Sequence, residues 1–186
     1  MRIHALKFCL LCIIALIAQI RYANATPILE QVAPISGSGI FGVDFSQLQY
    51  SPLGDVTASV QNPFGLISGC TPAEFAGFPA GYIALLQEGA CSFATQATNA
   101  YNAGALGVLI YPTSGLLTGS LGAGFSLTLP VFGLTYNLGT NFAATQGLVV
   151  RMKAEEIDEN NVPIPATLAL FGIGLAGLGL SRRKKA

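Results

Sequence analysis

The sequence predicts a β-rich α/β domain with parallel strands, ahead of a C-terminal transmembrane helix. Three observations predict it. First, two apolar runs, Gly81–Gln87 and Leu106–Tyr111, flank a helical pattern at Phe93–Ala103. Strand, helix and strand within about 30 residues make a βαβ unit, which brings parallel neighbours together. Second, the remainder of the body is punctuated by glycine and serine, and its apolar runs are short. Third, Val162–Leu180 carries no charge and leads into Arg182, Arg183, Lys184 and Lys185.

The 186 residues have a formal net charge of zero, but the charge is unevenly spread. Seven of the nine basic residues lie before residue 26 or after residue 181, whereas all nine acids lie between. Residues 26–161 therefore carry nine negative charges against Arg151 and Lys153, a net of −7. A body of that sign repels phosphate backbones, which argues against a nucleic-acid partner.

The N-terminal cations belong to a targeting pattern. "MRIHALK" is a short positive region, and "FCLLCIIALIAQI" is a 13-residue apolar run, short for a bilayer span. Ala23 and Ala25 then supply small residues at the −3 and −1 positions of a peptidase site. Residues 1–25 are therefore expected to be a signal peptide cut after Ala25. Cleavage removes His4, the single histidine, together with Cys9 and Cys12.

The body is expected to span 26–153, with its core at 54–152. Thr26 to about Ser51 reads as short strands and loops. Asp55–Val60 alternates with period two, as a half-buried strand does. Gly81–Gln87 reads as a buried strand. Ser92 caps a helix whose apolar groups, Phe93, Ala97, Ala100 and Tyr101, have helical spacing, and Gly104 ends it. Leu106–Tyr111 is the second buried strand. Thr113–Leu127 is a glycine-rich excursion. Leu129–Leu134 is a third strand, Thr135 caps a short helix through Ala144, and Gly147–Met152 is the final strand. An acidic linker, Ala154–Asn161, follows, which should be solvated.

The last segment contains a GxGxxG at Gly172, Gly174 and Gly177. A dinucleotide fingerprint needs a strand before it, and here Pro163 and Pro165 stand instead. The 19 residues from Val162 to Leu180 give about 28 Å of helix, close to a bilayer core. Residues 163–180 are thus expected to cross the membrane, with the basic tail on the cytoplasmic side. The segment resembles the PEP-CTERM sorting signal: a V-P-E-P motif, an apolar helix rich in Gly, Ala and Leu, then a basic cluster. Val162, Pro163 and Pro165 match, Ile164 departs from the usual Glu, and Arg182, Arg183, Lys184 and Lys185 supply the cluster. The resemblance implies processing of residues 162–186 by a membrane-embedded exosortase in a Gram-negative bacterium. The destination it implies is the cell surface or extracellular matrix.

"GYIALLQEGACSF", "NAYNAGALGVLIY" and "LPVFGLTYNLG", with Cys70 ahead of them, resemble the protease-associated (PA) domain over about 80 residues. Glu88 stands where the family usually has Arg, and Gln96 replaces a common Lys. The resemblance implies a PA-type swivelling β/β/α domain, a mixed sheet or partly open barrel with short flanking helices. It also implies a module for protein contact or substrate access, without catalytic residues of its own.

Cys70 and Cys91 are the two cysteines of the exported part, which favours a disulfide. PA domains often pair cysteines at these places. A catalytic thiol would need a base such as His, and zinc would need four ligands. Glu74 and Glu88 could form a glycosidase-like pair, although isolated surface carboxylates are far commoner. The expectation is therefore a non-catalytic protein with no cofactor and no metal site. Leu116, Leu117, Leu121 and Phe125 of the glycine-rich excursion form a candidate contact loop, or else cover the core. Alternative roles are a component of an exopolysaccharide matrix and an accessory subunit of an exported protease.

Overall fold

The computed structural model describes residues 26–63 and 67–156. The signal peptide expected at 1–25 with Ala23 and Ala25, the sorting motif Val162–Pro165, the transmembrane helix expected at 163–180 and the basic tail all lie outside the described residues. Among the described residues no helix is long and apolar enough to cross a membrane.

Eight strands form one mixed sheet: β1 (Ile28–Ala33), β2 (Gly37–Ser38), β3 (Phe45–Gln47), β4 (Gly54–Gln61), β5 (Ile83–Gln87), β6 (Gly107–Tyr111), β7 (Val131–Leu134) and β8 (Val149–Ala154). Two helices, α1 (Phe93–Asn102) and α2 (Tyr136–Ala144), and a 3-10 turn at Pro72–Phe75 complete the domain. The strand order is β2-β1-β8-β4-β5-β6-β7-β3. β4 through β7 run parallel to one another, and the flanking pairs are antiparallel.

The expected βαβ unit is β5-α1-β6, with Leu85 opposite Leu109. The Ser92 hydroxyl accepts from Thr95 N at 3.1 Å, which satisfies a free donor of the first turn of α1. Thr135 caps α2 in the same way, accepting from Leu138 N at 3.2 Å. Successive residues of a strand point to opposite faces, so the central strands feed two cores. Ala84, Leu86, Val108 and Ile110 pack beneath α1 with Phe75, Phe78 and Leu129. Ile83, Leu85, Leu109 and Phe132 pack on the other side with Phe45, Phe142 and Met152. A strand covered on both faces reads as a continuous apolar run, and this is why β5 and β6 were legible.

Helix α2 approaches β6 closely, because a Cβ on Gly139 would lie 2.2 Å from the Tyr111 side chain. Only glycine fits there without displacing an aromatic ring.

The sheet curls until its far strand meets β8. The Gln47 side chain of β3 donates to Glu155 O at 2.8 Å and accepts from Glu155 N at 3.0 Å. One amide thus does the work of a backbone ladder pair and draws the sheet toward a barrel. β8 consequently runs two residues beyond the sequence pattern. Ala154, expected to begin the acidic linker, is instead the last residue of β8 and only 3% exposed.

Candidate functional site

Cys70 and Cys91 are joined by a disulfide, with Cα atoms 5.7 Å apart. It fastens the loop before the 3-10 turn to the connection between β5 and α1. Thr71 and Glu74 form a capping box on that turn. Glu74 is buried and takes four donors. Ser68 Oγ (2.9 Å) and Gly69 N (2.7 Å) reach Oε2, while Thr71 N (3.1 Å) and Thr71 Oγ1 (3.2 Å) reach Oε1. Burial alone would raise this carboxyl, but the hydrogen bonds from Ser68, Gly69 and Thr71 together outweigh it and hold the group below the ordinary glutamate range.

Gln96, fully buried on α1, donates to Ser68 O and, at 3.0 Å, to Gln87 O. Asn99 donates to Gly69 O at 3.0 Å. The loop is thereby tied to α1 twice by side chains, and covalently to the connection just before it. Glu88 is exposed just after β5. Glu74 is committed to four donors within its own loop, which it holds in place as a structural carboxylate does.

The candidate contact loop is largely spent on the core. Leu117 and Leu121 are 3% and 5% exposed, and Phe125 packs against the same cluster under partial cover. The backbone explains this. Leu117 N donates to Leu134 O at 3.0 Å, Leu121 N to Gln49 O at 3.0 Å, and Ser46 Oγ to Leu117 O at 2.6 Å. These bonds lay the excursion across β7 and β3 and turn the leucines inward. Leu116, half-buried, bridges to Thr135.

A different surface displays apolar groups. Val32, Ile35, Ile40, Phe41 and Val43 are all exposed, Ile35 at 76% and Val43 at 60%. They lie within 12 consecutive residues around β2. Beside them opens a cavity of about 250 Å³, lined by Leu29, Leu138 and Phe142 and by Gln31, Gly37–Gly39 and Asp44. Asp44 Oδ2 accepts from Ile40 N at 2.9 Å, which fixes the carboxylate at the rim. Sequence reading took this segment for loops and short strands and assigned it no role. The available signal was the run of large apolar residues in "VAPISGSGIFGV" with neither helical nor strand periodicity.

Among the described residues no group of three or more His, Cys, Asp or Glu is placed to hold a metal ion.

The curled mixed sheet with a disulfide-tied 3-10 turn and two capped helices is an α/β domain. Comparison with protein families names its type: residues 56–142 match the PA domain, and residues 161–184 match the PEP-CTERM protein-sorting motif. The chain therefore carries a PA domain followed by a PEP-CTERM sorting motif. That motif marks it for an exosortase-type system, for export through the membrane and for a surface or extracellular location.

An aminopeptidase from Pseudomonas aeruginosa is 38% identical over 133 residues, which cover 60% of this chain and 25% of that protein. An aminopeptidase from Aneurinibacillus sp. strain AM-1 superposes with a TM-score of 0.58 at 29% identity, over 71% of this chain and 31% of that one. A zinc aminopeptidase from Bacillus subtilis shares the fold, with a TM-score of 0.53 at 23% identity over 70% of this chain and 31% of its own. The chain thus spans about a quarter of the length of the curated relatives it matches.

Proposed function

We propose that this chain is an exported, non-catalytic PA-domain module of a Gram-negative bacterium, which contacts another protein at the cell surface after exosortase processing. The observation that carries this reading is the apolar run Val32–Val43, exposed on a domain that a sorting motif sends outside. Single exposed apolar residues are ordinary on a protein surface, but five within one 12-residue segment are the kind of concentration an interaction site would use. The polar groups near the disulfide support the same reading, because Glu74 and Asn99 are occupied in holding a loop.

The test uses the surface fraction of the exporting cells. Val32, Ile35, Ile40 and Val43 are replaced together by serine, and cross-linked species are compared with those of the wild type. The variant should melt like the wild type and lose its cross-linked protein partner. Retention of that partner refutes the assignment of the surface. Hydrolysis of amino-acid anilides in proportion to the purified chain, with or without added zinc, refutes the non-catalytic role.

One observation favours a second reading, an accessory subunit of an exported protease: the curated relatives are aminopeptidases that carry this region as a quarter of their length. A single protease recovered in stoichiometric amount supports that version. Polysaccharide recovered without protein points instead to a matrix component.

A further inference from the structure

We propose that the cavity beside β2 binds the amino-terminal residue of an extended peptide, with its apolar side chain against Leu29, Leu138 and Phe142 and its α-ammonium on the Asp44 carboxylate. The inference rests on the reading of the chain as an interaction module and names the chemistry of its partner.

Size is the first argument. A cavity of about 250 Å³ falls below the roughly 300–1,000 Å³ of pockets that enclose whole small molecules, so it suits one side chain. Charge is the second. The bond from Ile40 N orients the Asp44 carboxylate, and no cation of the described residues neutralises it. Arg151 is engaged with Asp55, and Lys153 with Glu155. A carboxylate without a cation partner, in a cavity that presents Leu29, Leu138 and Phe142 alongside Gln31 and Ser38, favours a cation that carries an apolar group, which is what a peptide's first residue presents. The backbone is the third. β2 ends the sheet, so its outer edge offers unpaired N–H and C=O groups among the described residues, and an extended peptide can add to such an edge. The face above β2 is open as well, since a Cβ on Gly37 would meet no atom within 4 Å. Ile35, Ile40 and Val43 then flank the path of the following residues.

The experiment is calorimetric titration of the mature chain, recovered from the surface fraction, with three peptide amides. They are Leu-Ala-Ala-Ala with a free amino terminus, its N-acetyl form, and N-acetyl-Ala-Lys-Ala-Ala. The free-amine peptide should bind. N-acetylation and Asp44→Asn should each weaken binding at least about tenfold, the scale of one charge-assisted hydrogen bond. Asn keeps an acceptor for Ile40 N, so the variant tests charge without removing the local anchor. Gly37→Leu should fill the groove mouth and abolish binding while leaving the melting temperature near that of the wild type. Failure of the free-amine peptide to bind, equal binding of the acetylated peptide, or an unaffected Asp44→Asn variant would overturn the proposal. So would a lysine peptide that binds as tightly, because the site would then read a side chain and not a chain end. Hydrolysis of the peptide during titration would sink the underlying non-catalytic reading instead, so the two failures are distinguishable.

Discussion

The middle of the sheet and its β1–β2 margin bury their side chains to different depths. In β5 and β6 nine of the ten residues are buried, whereas β1 buries one of six and β2 neither of its two. The centre has α1 on one face and α2 on the other, while the margin sets only Leu29 into the core near Phe142 and leaves most of its other side chains partly or fully to water. A single sheet thus contains a region that is all packing and a region free to bind. The domain's stability resides in the first, and its partner chemistry is proposed for the second.

The sharpest way to test this contrast is to truncate one residue in each region. Leu109→Ala on β6 removes a fully buried side chain beside Leu85 and Phe132, and should destabilise the chain by about 2–5 kcal/mol. Ile35→Ala at the margin should change stability by no more than about 0.5 kcal/mol. Chemical denaturation at neutral pH reads both. A loss at Ile35 comparable with that at Leu109 would mean that the margin is part of the core.

A smaller effect belongs to the loop that fastens the centre. Glu74→Gln leaves one acceptor oxygen where two served, so one of the Gly69 and Thr71 backbone N–H groups must face an amide NH₂. The cost at neutral pH should be about 1–3 kcal/mol, as for a buried donor left without a partner. The pH dependence has a definite sign. The folded carboxyl lies below its ordinary value of 4.5, so its contribution is complete above that value and disappears as pH falls through the folded value. Wild type and Glu74→Gln should therefore converge in stability on acidification from 4.5 downward. A gap that stays constant with pH would show that the carboxylate charge is irrelevant.

The same contrast explains what was legible in the sequence. Ile83–Leu86 and Val108–Tyr111 are read easily, because burial on both faces demands apolar residues at every position. Ser92 and Thr135 are legible as caps, because an oxygen before an apolar period has a local job. Leu117 and Leu121 were ambiguous for a physical reason. Glycine-rich sequence says that the chain turns, but the bonds that Leu117 N and Leu121 N donate to Leu134 O and Gln49 O decide which way the leucines face. Gln47 is invisible in sequence, since its clasp on Glu155 spans 108 residues. The cavity at Asp44 is equally hidden, because Leu29, Asp44 and Phe142 meet only after α2 docks beside β1.

The smallest expected effect separates a surface ion pair from the anchors just described. Arg151 on β8 and Asp55 on β4 make a two-pronged contact, Nε to Oδ1 at 3.0 Å and Nη2 to Oδ2 at 2.8 Å. The side-chain hydrogen bond from Arg151 lowers the Asp55 carboxyl, and the same bond raises the guanidinium. Yet the two side chains are 38% and 43% exposed, so water and salt screen most of their attraction. A double-mutant cycle of Asp55→Asn and Arg151→Gln should yield a coupling well below the Glu74 effect, shrinking further as salt is added. A coupling that equals the Glu74 effect and resists salt would place a structural anchor on the antiparallel side of the sheet, and the division between a packed centre and a free margin would need to be redrawn.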